Sequence, residues 1–287
     1  AHNLRSETLD NLYLISALGL ANKIMLLTAT PVVNYLNDLS VLVNIVKNDD
    51  VLPTEKDMFL QMFFDEEKFE LINVDILKDK LKNCISYYKI KDNKNYPKIN
   101  KHYKEIIMDN EQMQEYAYYV KKVIYDNINV PPNIEDLLSI NYSILPKKKK
   151  NLFLSVTRQI SNTTKNKISP KIEAIYEKIA LGPYPIIVYS NFLKNGIYTI
   201  AVLLEQNKIS YKSITGNTSD DKINLIVNQF NQGAFKVLLL SSAGSESLDL
   251  KNTRQIHIME PHWNEAKIQQ VIGRAIRYNS HKSLPPS

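Results

Sequence analysis

Glycine is scarce in this chain, with seven among 287 residues, beside a single cysteine and a single tryptophan. Neither glycine-built phosphate fingerprint occurs. There is no Gly-x-x-x-x-Gly-Lys-Ser/Thr and no Gly-x-Gly-x-x-Gly, so the loop that cradles nucleotide phosphates and the first turn of a dinucleotide-binding domain are both missing from it. Cys84 alone cannot close an internal disulfide, which fits a reducing, intracellular setting. A small buried apolar residue suits it better than a catalytic thiol. His257, His262 and His281 have no ligand spacing with cysteine, so no metal site is expected. No apolar run approaches the roughly 18 residues of a membrane helix, and the opening Ala1-His2-Asn3-Leu4-Arg5-Ser6-Glu7 lacks a secretory leader pattern.

What is present is ordinary in bulk: 44% hydrophobic residues, a net charge of +6 and an isoelectric point near 9.0. The length allows about two domains, and the basic balance suits a polyanionic partner. The last third alternates short apolar runs with amphipathic stretches. Pro185 to Tyr189, Tyr211 to Ile214, Val237 to Leu240 and Gln255 to Met259 read as strands, and 196–206, 220–231 and 264–277 as helices, the second capped by Thr218 or Ser219. Near-continuous apolar strands are covered on both faces, which predicts an α/β, doubly wound parallel sheet with crossover helices. In such sheets ligands lie beyond the carboxyl ends of the strands.

The first fifty residues read as part of a second such sheet: a helix from Ser6 to Leu20, a strand from Lys23 to Leu27, then a helix from Leu36 to Val46. That piece, alone, would expose apolar surface around Leu26, Leu39 and Val43. Residues 51–165 carry helical spacing broken by Pro97, Pro131, Pro132 and Pro146, and read as a mainly helical insertion. The expected division is 1–50, 51–165 and 166–287. Lys147 to Lys150 suits phosphate contact or a solvated loop.

The most informative stretch is Gln270-Val271-Ile272-Gly273-Arg274-Ala275-Ile276-Arg277. On a continuous helix, Gln270, Gly273, Arg274 and Arg277 share one stripe that can clamp a triphosphate. A solvated basic face is the alternative. Three further segments fall in order before it: Thr28-Ala29-Thr30-Pro31 with Asn34, Val188 to Phe192, and Ser241 to Leu250. Together these resemble motifs III, IV, V and VI of superfamily 2 helicases and translocases, the ATP-driven motors with two RecA-like domains. The Thr-x-Thr-Pro-x-x-Asn spacing resembles the Swi/Snf-type branch. Glu260-Pro261-His262-Trp263-Asn264 and Tyr278 to Pro285 resemble the DEAH-type NTPases of large DNA viruses, of the early-transcription-factor and nucleoside triphosphatase I kind. Tyr96-Pro97, Met108, Gln112 and Tyr116 resemble the junction towards the second motor domain in that group.

The resemblance implies a RecA-like second motor domain, the insertion and a partial first RecA-like domain. It implies ATP and Mg²⁺ as cofactors, with Arg277 as arginine finger, Arg274 near the γ-phosphate, and Gln270 linking phosphate to the DEAH side. Gly273 lines the nucleotide, Asp249 contacts it or steadies the finger, and His2 faces Gln270. Ser241, Ser190, Asn191, Thr215 and Gly216 would grip a nucleic-acid backbone, though each also suits a turn. Thr28 and Thr30 would couple the domains. Ser247 departs from the glycine usual before Leu248-Asp249. Trp263 suits core packing. Ala1-His2 resembles the second half of a DEAH box, so the resemblance implies a fragment, inactive alone, whose Mg²⁺ ligands lie elsewhere. Expected partners are nucleic acid, DNA foremost, the remainder of the first motor domain and transcription machinery, in a virion or host cytoplasm. The competing reading is a non-catalytic, motor-like binding module.

Overall fold

The structure is a computed structural model describing residues 4, 9–28, 31–32, 35–87, 96–124, 155–163, 168–242, 248–260 and 265–284. The chain forms two compact units, Ala1–Asp92 with Asn264–Ala266, and Asn93–Trp263 with Lys267–Ser287.

The first unit is helical: α1 (Leu9–Leu18), α2 (Asp38–Lys47), α3 (Lys56–Phe63) and α4 (Val74–Leu81), with a short antiparallel pair, β1 (Phe64–Asp65) and β2 (Glu70–Leu71), between α3 and α4. Its core is Val43, Leu52, Phe59 and Phe63. Burying each such side chain contributes roughly 1.5–3 kcal/mol. Asn44 ties α2 to the next turn, its side chain donating to Leu52 O at 2.8 Å and accepting from Leu52 N at 3.0 Å. The chain leaves α2 through Asn48 in the left-handed conformation, φ 52°, one of the few non-glycine types that tolerates it.

Two expectations need correcting in this unit. The segment from Lys23 to Leu27 is not a strand, because a strand exists only by pairing with another. The apolar exposure also falls elsewhere: Val43 is core, and Leu26 and Leu39 pack against core clusters. Exposure falls instead on α1, which is apolar on all sides and buries no residue, and on Met25 and Leu27.

The second unit holds a four-stranded, fully parallel sheet of β3 (Ile186–Ser190), β4 (Tyr211–Ile214), β5 (Val237–Ser241) and β6 (Gln255–Ile258), in the order β4-β5-β3-β6. Successive side chains of a strand point to opposite faces, and both faces are filled here. Ile186, Val188, Val237 and Leu239 pack under α6 (Pro170–Leu181) and α7 (Tyr198–Gln206), through Ile172, Ile179, Ile200 and Leu204. Ile187, Tyr189, Leu238 and Leu240 pack under α8 (Asp220–Asn231) and α9 (Glu265–Ala275), through Ile226, Phe230, Val271 and Ala275. The result is a three-layer, doubly wound α/β domain. Before it come α5 (Asn110–Ile124) and helical residues 155–160. Gln112 is buried in this part and donates through Nε2 to Ile160 O at 2.8 Å.

Local chemistry sets the ends. Ser169 caps α6, its hydroxyl accepting from Ile172 N at 3.2 Å with Pro170 behind it. Ser219 holds the cap position of α8 without a side-chain bond, while Thr218 accepts from Thr215 N at 2.9 Å. The expected 196–206 helix divides into a wide π-turn, Leu193–Ile197, followed by α7. At Gly196 a Cβ would stand 2.1 Å from Ser190 Oγ, so the turn crosses β3 only because glycine is there. No helix of the described residues is long and apolar enough to cross a membrane.

Candidate functional site

Parallel pairing places every strand's carboxyl end on one edge. Ser190 is level with Ser241, and Ile214 with Leu240, so Thr215, Ser241 and Ser190 stand in a row across β4, β5 and β3. At about 4.8 Å between neighbours, that row spans roughly 10 Å. Thr215 and Gly216 open the turn before α8, with Gly216 exposed, and Ser241 is 5% exposed.

Ser190 and Asn191 face inward. Ser190 is fully buried, and its hydroxyl donates to Glu260 Oε1 at 2.6 Å. Asn191 donates its backbone N–H at 2.8 Å and its Nδ2 at 3.3 Å to Glu260 Oε2, and accepts from Tyr189 Oη at 3.1 Å. Asn162 Nδ2 supplies the fourth donor, to Glu260 Oε1. Four donors occupy the four lone-pair sites of one carboxylate, the arrangement that suits its ionised form. Lys171 closes the network from α6, donating to Asn162 Oδ1 at 2.7 Å, Ser161 Oγ at 2.8 Å and Met259 O at 3.2 Å. Burial lowers the Lys171 ammonium to about 8, against the pull of Glu260. Arg158, its guanidinium 5.5 Å from the Phe192 ring centre, is also lowered by burial and also drawn up by Glu260.

This hub escapes a sequence reading. Glu260 follows β6 by two residues, in a position that reads as solvated, and its donors lie 98, 70 and 69 residues away. The one available signal is an acidic residue just past an apolar strand, on the edge where ligands bind in such sheets.

The arginine end of the site is arranged differently from the expected stripe. Helix α9 stops at Ala275. Arg277 lies beyond it and reaches back, Nε donating to Gly273 O at 3.3 Å and Nη1 meeting Asp249 Oδ1 at 3.3 Å. Both side chains are partly open, 39% and 50% exposed, so the pair itself contributes about 1 kcal/mol at most. Asp249 is fixed by its backbone: its carbonyl accepts from Asn231 Nδ2 at 2.9 Å, and Lys251 N donates to Asn231 Oδ1 at 2.7 Å. Asn231 ends α8, just before the chain turns into β5. Asp249 and Arg277 therefore stand on the α8/α9 face towards the amino edge, apart from the Thr215–Ser241–Ser190 row. Leu250 N donates to Arg274 O at 3.1 Å, locking the two segments together. Gln270 and Arg274 are half-buried on α9, and Gly273 is exposed with nothing within 4 Å of a Cβ placed there. Thr28 belongs to the first unit and is half-buried. His2, Thr30, Asn34, Lys147 to Lys150, Ser247, His262 and Trp263 lie outside the described residues.

The helicase conserved C-terminal domain family matches residues 170–279, from the first residue of α6 to just past Arg277. A protein of Acanthamoeba polyphaga mimivirus named "Putative ATP-dependent RNA helicase L538" is 64% identical over 286 residues, covering 99% of this chain and 64% of that protein. The termination factor NPH-I homolog of African swine fever virus (isolate Tick/South Africa/Pretoriuskop Pr4/1996) is 24% identical over 345 residues, covering 92% and 49%. Residues 170–279 thus match a helicase conserved C-terminal domain, and the two relatives named are viral proteins. The chain spans about half to two thirds of the length of these relatives. The Sulfolobus solfataricus SWI2/SNF2 ATPase core domain overlaps 87% of this chain and 53% of its own at 18% identity, with a TM-score of 0.48.

Proposed function

We propose that this chain supplies the second motor half of a nucleic-acid-dependent ATPase, a viral helicase or DNA translocase acting in transcription. The observation that carries the reading is the Arg277–Asp249 pair, 3.3 Å apart, within a helicase C-terminal domain. Phosphoryl transfer is catalysed mainly by positioning and by neutralising charge, and an arginine from a neighbouring domain is a recurrent device. Arg277 is the finger, Arg274 faces the γ-phosphate, Gln270 connects phosphate with the DEAH side at His2, and Asp249 steadies Arg277 between turnovers. Gly273 leaves the helix face bare, room that a nucleotide can use. Planar guanidinium forks suit a triphosphate, so ATP fits the donor set.

Among the described residues no group of three acidic, histidine or cysteine side chains could hold a metal. Mg²⁺ would arrive on the nucleotide, its protein ligands belonging to the first motor domain. In this reading 1–50 is the end of that domain, with Thr28 and Thr30 coupling it to the second, 51–165 is an insertion, and 166–287 is the second domain. The nucleic-acid backbone lies along Thr215, Gly216 and Ser241, with Ser190 and Asn191 shaping the loop beside them.

The test is ATP hydrolysis by the parent protein with and without nucleic acid. Duplex DNA should stimulate turnover, and Arg277→Ala should lower kcat by roughly 10³-fold, the low end for a finger arginine. Hydrolysis indifferent both to nucleic acid and to Arg277→Ala would sink the motor reading. Stimulation by RNA in place of DNA would move the substrate to the one in the mimivirus relative's name.

A further inference from the structure

Arg277 has left its helix, so something else must hold it. In a continuing helix its backbone N–H would bond Gly273 O. That carbonyl accepts the Arg277 side-chain Nε instead, and the N–H donates to Ser280 Oγ at 3.2 Å. Ser280 is 4% exposed. Its Oγ is 2.8 Å from His281 Nδ1, and His281 Nε2 is 2.7 Å from Thr253 O. A carbonyl can only accept, so Nε2 carries the hydrogen in the neutral ring and Nδ1 is left to accept. The Ser280 hydroxyl hydrogen then points at Nδ1, and an oxygen lone pair faces the Arg277 N–H. Ser280 is anchored from below as well: its carbonyl accepts from Asn252 N at 2.9 Å, and Ser283 Oγ donates to Asn252 Oδ1 at 2.8 Å.

We propose that Ser280 and His281 are positioning residues for Arg277: they end the helical hydrogen bonding of α9 at Ile276 and so free the guanidinium to reach back to Gly273 and Asp249. The clamp settles a competition. Without the Ser280 acceptor, the Arg277 N–H takes Gly273 O, the helix gains residues, and the guanidinium swings away from Asp249. His281 acts at one remove, by fixing which side of the Ser280 oxygen is a lone pair. That this arginine is the one held ready for phosphate rests on the function proposed above. The clamp itself does not.

Arginine side-chain NMR on this chain reads the clamp directly. The Arg277 Nε–H signal, identified by its disappearance in Arg277→Lys, should exchange with solvent at least about 10-fold faster in Ser280→Ala and His281→Ala. Ser280→Thr keeps the hydroxyl and should keep the protection. His281→Asn, whose Oδ1 replaces Nδ1 as acceptor, should keep more of it than His281→Ala. Should Ser280→Ala fail to fold, His281→Ala and the two conservative variants still decide. Protection unchanged in the alanine variants that fold, or lost equally in the conservative ones, overturns the clamp. In the parent protein, Ser280→Ala should lower kcat for ATP and leave KM within about twofold. If Arg277→Ala abolishes turnover and Ser280→Ala does not, positioning fails and the motor reading stands. If neither changes turnover while the NMR result holds, the clamp stands and the motor reading fails.

Discussion

Replacing Glu260 by glutamine removes one charge and almost no volume from the centre of the second unit. The carboxylate accepts from Asn162 Nδ2 and Ser190 Oγ on one oxygen, and from Asn191 N and Nδ2 on the other. An amide has one oxygen to offer. In one orientation its NH₂ faces the two donors of Asn191; in the other it faces Asn162 Nδ2, whose Oδ1 is already engaged by Lys171. At least one donor is therefore stranded, and the bonds that survive lose their charge assistance. Hydrogen bonds to charged groups are each worth about 1.5–3 kcal/mol, and breaking one side of a buried charge network costs about 3–5 kcal/mol. Glu260→Gln should lower stability by roughly 3 kcal/mol, a large part of a typical domain's total. Urea unfolding monitored by Trp263, the sole tryptophan, measures it. Lys171→Met in the Glu260→Gln background should cost less than the sum of the single changes, since each removes what the other compensates. A loss below about 1 kcal/mol for Glu260→Gln, with additive behaviour in the double variant, would refute the claim that this carboxylate organises the edge.

Two further outcomes follow from single residues. Burial lowers the His257 imidazole to about 4 from its ordinary 6.5, so between those values the unfolded chain binds a proton that the folded one refuses. Its contribution is whole above pH 6.5 and is lost as pH falls towards 4, by up to about 3 kcal/mol; urea midpoints against pH should fall through that window and flatten there in His257→Gln. Gly196→Ala places a methyl 2.1 Å from Ser190 Oγ and 2.9 Å from its Cβ, which displaces the hydroxyl that serves Glu260. A loss of at least about 2 kcal/mol is expected from overpacking of this kind, and a thermal midpoint equal to the parent's would show that the turn moves freely.

The sheet could be read from the sequence because its signals are local. Four short apolar runs became four strands, Tyr211 to Ile214 and the helix 220–231 at the residues expected, because burial on both faces leaves little choice of residue along each strand. The failures share one cause, dependence on partners remote in the chain. Lys23 to Leu27 has the composition of a strand, yet composition does not supply the ladder that makes one. The arginine stripe requires a helix that runs to Arg277, and nothing near Gly273 announces that a serine and a histidine three and four residues past Arg277 will capture its amide.

The same reasoning explains why residue types at the carboxyl edge were legible while their duties were not. Ser190 and Asn191 are hydroxyl and amide groups at the end of a buried strand, and such groups suit a phosphate backbone or an internal acceptor equally well. Which of the two wins depends on whether an acceptor is already present inside. Glu260, 70 residues on, is that acceptor, and its four lone-pair sites take every donor that the pair directs inward. In the proposed function the nucleic-acid duty would then fall to Thr215, Gly216 and Ser241, on the β4 and β5 side of the edge. Glu260 precedes α9 and Arg277 follows it, so the helix is flanked by two polar anchors. One ties to the β3 loop and the other to the segment after β5. Sequence spacing along the helix carries no trace of either.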